Sequence, residues 1–294
     1  VSIALPSAAA LADWQTLVER ARRADPEAAI RLSAAGSTLV LTCAPLYPAS
    51  LGDGMPLVLG MRMIRLADSS ADGLDAVVPA AALLDRFARA NSRGSLHIGV
   101  PPQEVHAAWA GIAPPRGGWS AAGSVPAAVL HAIARAGIAE IARGTPEGSG
   151  AHAVAALRRR VWGRSLVEAG GAAERLGAPD STEGAGAADT TEGMGAGDSA
   201  QGVGAADTAE GMGAAGTAQA AGTTGADNAS ARARPAEPAG GASPVLGLLP
   251  AGAAFGMDAL GFLAAGSEPA TVFASGPWLR LSTRGGHILT RASG

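Results

Sequence analysis

The 294-residue chain has 22 basic residues, all of them arginine, against 25 acidic ones, for a formal net charge of −3. The absence of lysine excludes a phosphate-loop lysine and a Schiff-base nucleophile; the single cysteine, Cys43, excludes an internal disulfide and a thiolate zinc cluster. Apolar residues make up 48% but aromatics only 3%, so alanine-rich elements must pack closely around few large side chains.

Ser7 is the expected cap of a helix reaching about Ala24, with Leu11, Trp14, Leu17, Val18 and Ala21 on one face and Asp25-Pro26 ending it. Ala29–Ala34 and Thr38–Ala44 flank the turn Ala35-Gly36-Ser37 and read as a hairpin; Met55–Leu66 is a third strand run and Ala76–Val78 a short fourth. Pro79 opens a helix through Ala90, Ser95–Val100 is a further strand candidate, and Gln103–Ile112 reads as a helix. A stiff Pro-Pro-Arg-Gly-Gly-Trp loop at 114–119 leads to helices over 125–142 and 150–162. Beyond residue 243 we expect a helix over Gly252–Leu263. A three-stranded meander then follows, over Thr271–Ala274, Trp278–Thr283 and His287–Thr290. A meander that short does not stand alone. It is expected to join the N-terminal sheet.

Between these parts a nonapeptide recurs five times from Gly177 to Ala221: GAPDSTEGA, GAADTTEGM, GAGDSAQGV, GAADTAEGM and GAAGTAQAA. An Asp at the fourth position in four of the five copies suggests a calcium-binding β-roll, but the position that should fill the roll is Thr182, Thr191, Ala200, Ala209 and Ala218. With nothing to bury, the tract reads as disordered. The expected organisation is therefore an α+β domain, an antiparallel sheet with helices packed on it. Residues 1–176 and 244–294 form this domain, and 177–243 is a disordered low-complexity insertion. Eight acids lie in 177–230 with no base before Arg232, so the rest of the chain sets 22 arginines against 17 acids, a charge of +5. That falls short of an obvious nucleic-acid footprint.

Catalytic signatures are missing. The five histidines never pair at helical i, i+4 spacing, no G-x-S-x-G elbow occurs, and Gly211, Gly213 and Gly216 match a dinucleotide fingerprint without the strand it needs. Cys43 reads as inert packing. No signal peptide is expected, and Pro250 and Asp258 argue against a membrane span at 245–266. No catalytic residue, metal ligand or cofactor is assigned. The candidate binding residues are arginines interleaved with tryptophans. They are Trp109, Arg116 and Trp119 around the proline loop; Arg158, Arg159, Trp162 and Arg164 on a helix; and Trp278, Arg280 and Arg284 on the meander, near His287 and Arg291.

The segments PPRGGW (114–119), RRRVWGRSL (158–166), LPAGAAFGMDALGFL (249–263) and WLRLSTRGGHILTR (278–291) together resemble a family of uncharacterised proteins of GC-rich actinobacteria. That resemblance implies no activity and carries over no functional residues. The expected function is a non-enzymatic cytoplasmic protein-interaction or regulatory module, with a protein or a second copy of the chain as partner. The alternatives are weak nucleic-acid binding through the Arg/Trp segments, and an enzyme with dispersed active-site residues.

Overall fold

In the computed structural model, which describes residues 1–50, 52–146, 148–177, 244–263 and 268–291, Ser7 caps α1 (Ala8–Ala24) as expected. Its hydroxyl accepts from the Ala10 N–H at 3.2 Å, and the apolar stripe from Leu11 to Ala21 is buried. Pro26 disfavours helical backbone at Asp25, so the chain leaves as strand. β2 (Ala29–Ala35), β3 (Thr38–Leu46) and β4 (Val58–Arg65) form a meander. β5 (Asp75–Pro79) returns beside β2 and runs straight into α2 (Ala80–Ser92). Trp14 of α1 meets Phe87 of α2 edge-on, 5.0 Å between centroids. A strand not anticipated from sequence, β1 (Ser2–Ala4), pairs with β6 (His97–Gly99) in a separate two-stranded sheet.

The expected helix over 103–112 is replaced by irregular chain with one 3-10 turn at Ala108–Gly111. Pro101 and Pro102 enter it and Gly111 and Pro114 leave it. The burial of Trp109 against the sheet decides its path. Next comes β7 (Ser120–Val125), also unanticipated because Ser, Ala and Gly are poor strand formers. It is held by pairing along an edge, with an irregularity between Ala121 and Gly123. Pro126 then starts α3 (Ala127–Arg143), followed by α4 (Ala151–Gly163) and α5 (Leu166–Gly177). α5 begins with a capping box: the Ser165 N–H donates to Glu168 Oε2 at 3.0 Å, and the Glu168 N–H donates to Ser165 Oγ at 3.2 Å. Beyond Gly177, which ends α5, the repeat tract, with both its disordered and its calcium-roll readings, lies outside the described residues. The described chain resumes with a 3-10 turn at Pro244–Leu248 and continues into α6 (Ala251–Ala259) and the meander β8 (Ala270–Ser275), β9 (Trp278–Thr283) and β10 (Gly286–Arg291).

The expected α+β fold is what forms. One antiparallel sheet runs β5–β2–β3–β4–β10–β9–β8–β7, and the described helices lie on one of its faces. The seam is the β4–β10 pair, which joins the first four strands of the sheet to the last four. The two halves are alike. Each has a helix leading into a three-stranded meander (α1 with β2–β4, α6 with β8–β10), and a fourth strand that pairs with the first strand of the meander and turns at a proline into a helix. The strand-to-helix joints read Val78-Pro79-Ala80-Ala81 and Val125-Pro126-Ala127-Ala128, and the leucines that follow, Leu83 and Leu130, are both fully buried. In the first half this joint follows the meander, while in the second it precedes it. α6 crosses the seam, and its small residues set how near it comes. A Cβ on Gly256 would lie 2.8 Å from Val58 and 3.0 Å from Ile288, one on each side of the seam. This is how an alanine- and glycine-rich chain builds a core: area per residue is low, but backbone and sheet are in direct contact. Among the described residues, no helix is long and apolar enough to cross a membrane.

Candidate functional site

Strand alternation sends Ile30, Leu41, Val58, Ile288, Leu281 and Val272 under the helices, which leaves their neighbours on the opposite face. No helix covers that face among the described residues. It is crossed by residues 101–119, whose Trp109 packs with Leu59, Trp278 and Leu289 in a second, smaller core. Elsewhere the face is open: Met63 is 57% exposed, and Val40, Thr42 and Met61 are half-buried. Register aligns one row across it, Thr271–Ser282–His287–Met61–Thr42–Arg31, through five consecutive strand pairings. By the same alternation Arg31, Arg65, Arg280 and Arg291 all belong to this face. The described strands place one carboxylate against them, Asp75 on β5.

The arginines differ in how they are satisfied. Arg31 is closed: its Nε and NH2 donate to the two oxygens of Asp75, each at 2.7 Å, and its NH1 donates to the Ala110 carbonyl at 2.8 Å. This pairing raises the Arg31 pKa and lowers that of Asp75. Arg280 is open. Its guanidinium lies between two rings, 4.6 Å from the Trp119 centroid and 4.5 Å from that of Phe273, and its Nε is buried with no hydrogen-bond acceptor. No carboxylate pairs with it among the described residues, and burial alone pushes its pKa below the usual arginine value. The rings are held in place. Trp119 donates from Nε1 to the Pro115 carbonyl at 3.2 Å, and Ser275 Oγ donates to the Gly117 carbonyl at 3.4 Å, pinning the proline loop onto β8. Next to Arg280 on this face, the His287 Nδ1 is 3.0 Å from Ser282 Oγ. Burial, and then the charge of Arg280, pushes the His287 pKa down, so the ring is held neutral.

The structure divides the sequence candidates into two groups. Trp109, Trp119, Trp278 and Arg280 meet on the open face, with Arg291 6.0 Å above Trp278. The ring of Trp119 takes Arg280 rather than the nearer-in-sequence Arg116, which stands exposed in its loop. Arg284, at the β9–β10 turn, pairs with Glu268 at 3.0 Å with both side chains exposed. The second group sits on the helical side. Trp162 is buried against Phe255, 4.8 Å between centroids. Arg164 forms a double bridge to Glu140 at 2.7 and 2.6 Å, which holds the Glu140 pKa down. Arg159 reaches Asp53 at 3.3 Å, and Arg158 is half-buried. Phe273, Ser282 and Thr271 were not singled out from sequence. The signal was the alternation Trp278-x-Arg280-x-Ser282, read together with its neighbour Thr271-x-Phe273.

Two clefts of similar size open near the ends of the sheet. One, of about 580 Å³, is walled by Phe262, Pro269, Thr271, Phe273, Ser282 and Arg284. The other, of about 530 Å³, lies between the crossing segment and α2 and collects Asp25, Glu27 and Asp85 with Tyr47 and His106. Burial and the charge of Asp25 raise the Tyr47 pKa. Among the described residues, no three His, Cys, Asp or Glu side chains converge to hold a metal ion.

The family profile described as Domain of unknown function (DUF8185) matches residues 114–181 and 195–294, more than half of the chain. The chain belongs to the DUF8185 family. A second profile, Domain of unknown function (DUF8010), matches residues 1–111. The boundary between them falls within the segment that crosses the open face. The DUF8010 match therefore covers β1–β6 and the DUF8185 match covers β7–β10, so the seam of the sheet joins the two. No curated protein matches the chain, and no solved structure matches it.

Proposed function

We propose that this DUF8185 protein is a non-enzymatic interaction or regulatory module that binds an anionic partner on the open face of its sheet. The observation that carries this reading is Arg280, a guanidinium fixed between two rings, with a buried Nε–H that donates to no acceptor among the described residues. A donor left unpaired inside a protein costs about 1–3 kcal/mol. Arg65 and Arg291, both exposed, extend the positive field along the same face. The test uses two labelled probes at low salt, a short oligothymidylate and a poly-glutamate peptide, with the parent chain and an Arg65→Glu/Arg291→Glu variant. Salt-sensitive binding of either probe that charge reversal abolishes supports the reading. Binding of neither probe, or binding that charge reversal leaves unchanged, removes it.

A hydrolytic reading has one observation in its favour, the Ser282 hydroxyl beside His287 at the rim of the larger cleft. Among the described residues no carboxylate orients the ring, and the charge that acts on it is the cation Arg280. A fluorophosphonate probe that labelled Ser282 would favour it. Three broader placements belong to the same proposal. Residues 1–176 and 244–294 act as one domain around a disordered 177–243 linker, supported by the direct β4–β10 pairing. The host is a GC-rich actinobacterium, supported by the use of arginine to the exclusion of lysine. The chain works in the cytoplasm, where a free thiol such as Cys43 is at home.

A further inference from the structure

We infer that the cleft beside β8 and β9 is a binding site for a small phosphorylated molecule with a planar body, and that Arg280 is the residue that holds its phosphoryl group. This rests on the open-face reading and narrows it to a ligand. Arg280 presents a flat fork of donors, the geometry that suits paired oxygens of a phosphoryl group. Its neighbours on the face also offer polar hydrogens. Ser282 is two residues along the same strand, Thr271 stands directly across from Ser282 on β8, and His287 stands across from it on β10. Phosphoryl oxygens can use several such donors at once, whereas a carboxylate has only two oxygens to share among them.

The cleft adjoins this cluster, although Arg280 and His287 do not themselves line it. Thr271, Phe273 and Ser282 belong to both, since Phe273 walls the cleft and also stacks on Arg280. Its volume of about 580 Å³ is in the range of small-molecule sites. Phe262, Phe273 and Pro269 supply apolar surface for a ring, and the one carboxylate at its rim, Glu268, is already paired with Arg284. The acidic cleft near α2 has no corresponding cation on its walls, which argues against the same ligand binding there.

Phenyl phosphate, inorganic phosphate and benzoate are titrated into the full-length chain, following the Arg280 Nε–Hε resonance by NMR and heat by calorimetry. The expected result is saturable binding of phenyl phosphate that moves the Arg280 signal, with inorganic phosphate and benzoate each at least about tenfold weaker. Arg280→Met weakens phenyl phosphate by about tenfold or more, while Arg89→Gln, at an exposed position on α2, stays within about twofold. Arg280→Lys, which keeps the charge but not the fork, falls between them, and a melting curve confirms that each variant is folded. If phenyl phosphate fails to bind at millimolar concentration, or binds Arg280→Met as well as the parent, the inference is overturned. Equal affinity for inorganic phosphate overturns the role given to the cleft, and equal affinity for benzoate overturns the preference for phosphorus. If these fail while charge reversal at Arg65 and Arg291 still releases the polyanion probes, the ligand assignment falls and the open-face reading stands.

Discussion

Replacing Arg280 with methionine should make the protein slightly more stable while removing its anion binding. The side chain is stacked between Trp119 and Phe273, and those two contacts contribute about 0.5–1 kcal/mol each at a partly exposed site. Against them stands a buried Nε with no acceptor, a penalty of about 1–3 kcal/mol that methionine does not incur. Methionine has a similar length and would put a thioether between the same rings, recovering about 0.3–1.5 kcal/mol. Taking middle values, the variant gains about 1 kcal/mol, a rise of about 2–4 °C in Tm for a body of this size. Urea unfolding followed by tryptophan fluorescence measures this directly. A loss of more than about 1 kcal/mol would mean that the guanidinium is a structural tie whose partner lies elsewhere, and the argument from an unsatisfied donor would fail.

Gly137→Ala is expected to destabilise the fold by about 1 kcal/mol in the same assay. The new Cβ would lie 2.6 Å from Cη2 of Trp162, which is itself stacked on Phe255, so overpacking outweighs the helix-propensity gain of about 1 kcal/mol; a more stable variant would contradict this. The Cys43 thiol, pushed up to about 12 by burial, should resist an aromatic disulfide reagent at about pH 8 until denaturant is added, and rapid labelling of the native chain would refute that. His287 has a folded pKa below its ordinary 6.5, so the stability linked to its neutral form is complete above that value and is lost as pH falls through the folded pKa. His287→Gln should flatten the acid side of the stability profile in that window, and an unchanged profile would show that the ring does not contribute.

Most of the fold can be read from the sequence where the period is clear. Leu11, Trp14, Val18 and Ala21 mark α1, and the alternation through Trp278–Thr283 marks β9. Legibility fails where the chain is irregular or its residues are small. Gln103–Ile112 has an apolar spacing compatible with a helix, but a surface across the chain, made by Leu59, Leu289 and Trp278, draws Trp109 down and the backbone follows. β7 shows no propensity of its own and exists because β8 offers it an edge. α5 was legible after all, since Ser165 and Glu168 have capping-box spacing ahead of an apolar pair. Of the candidate site, the residue types of Trp119, Trp278 and Arg280 were visible, and so was the strand that carries Trp278 and Arg280. Which guanidinium would meet which ring was not. That depends on the proline loop folding back over β8, a long-range event that short-range spacing cannot encode.

β10 is the latest of the described strands to be synthesised, yet it sits in the middle of the sheet. Until it leaves the ribosome, β4 presents an unpaired strand edge, with Met61 and Met63 beside it. Such edges invite pairing with other chains. Nascent molecules are therefore at risk of misassembly while the residues between β4 and β10 are being made, and each residue added between α5 and α6 prolongs that wait. Chaperone dependence, more than equilibrium stability, is where a longer or shorter repeat array would be felt by the cell.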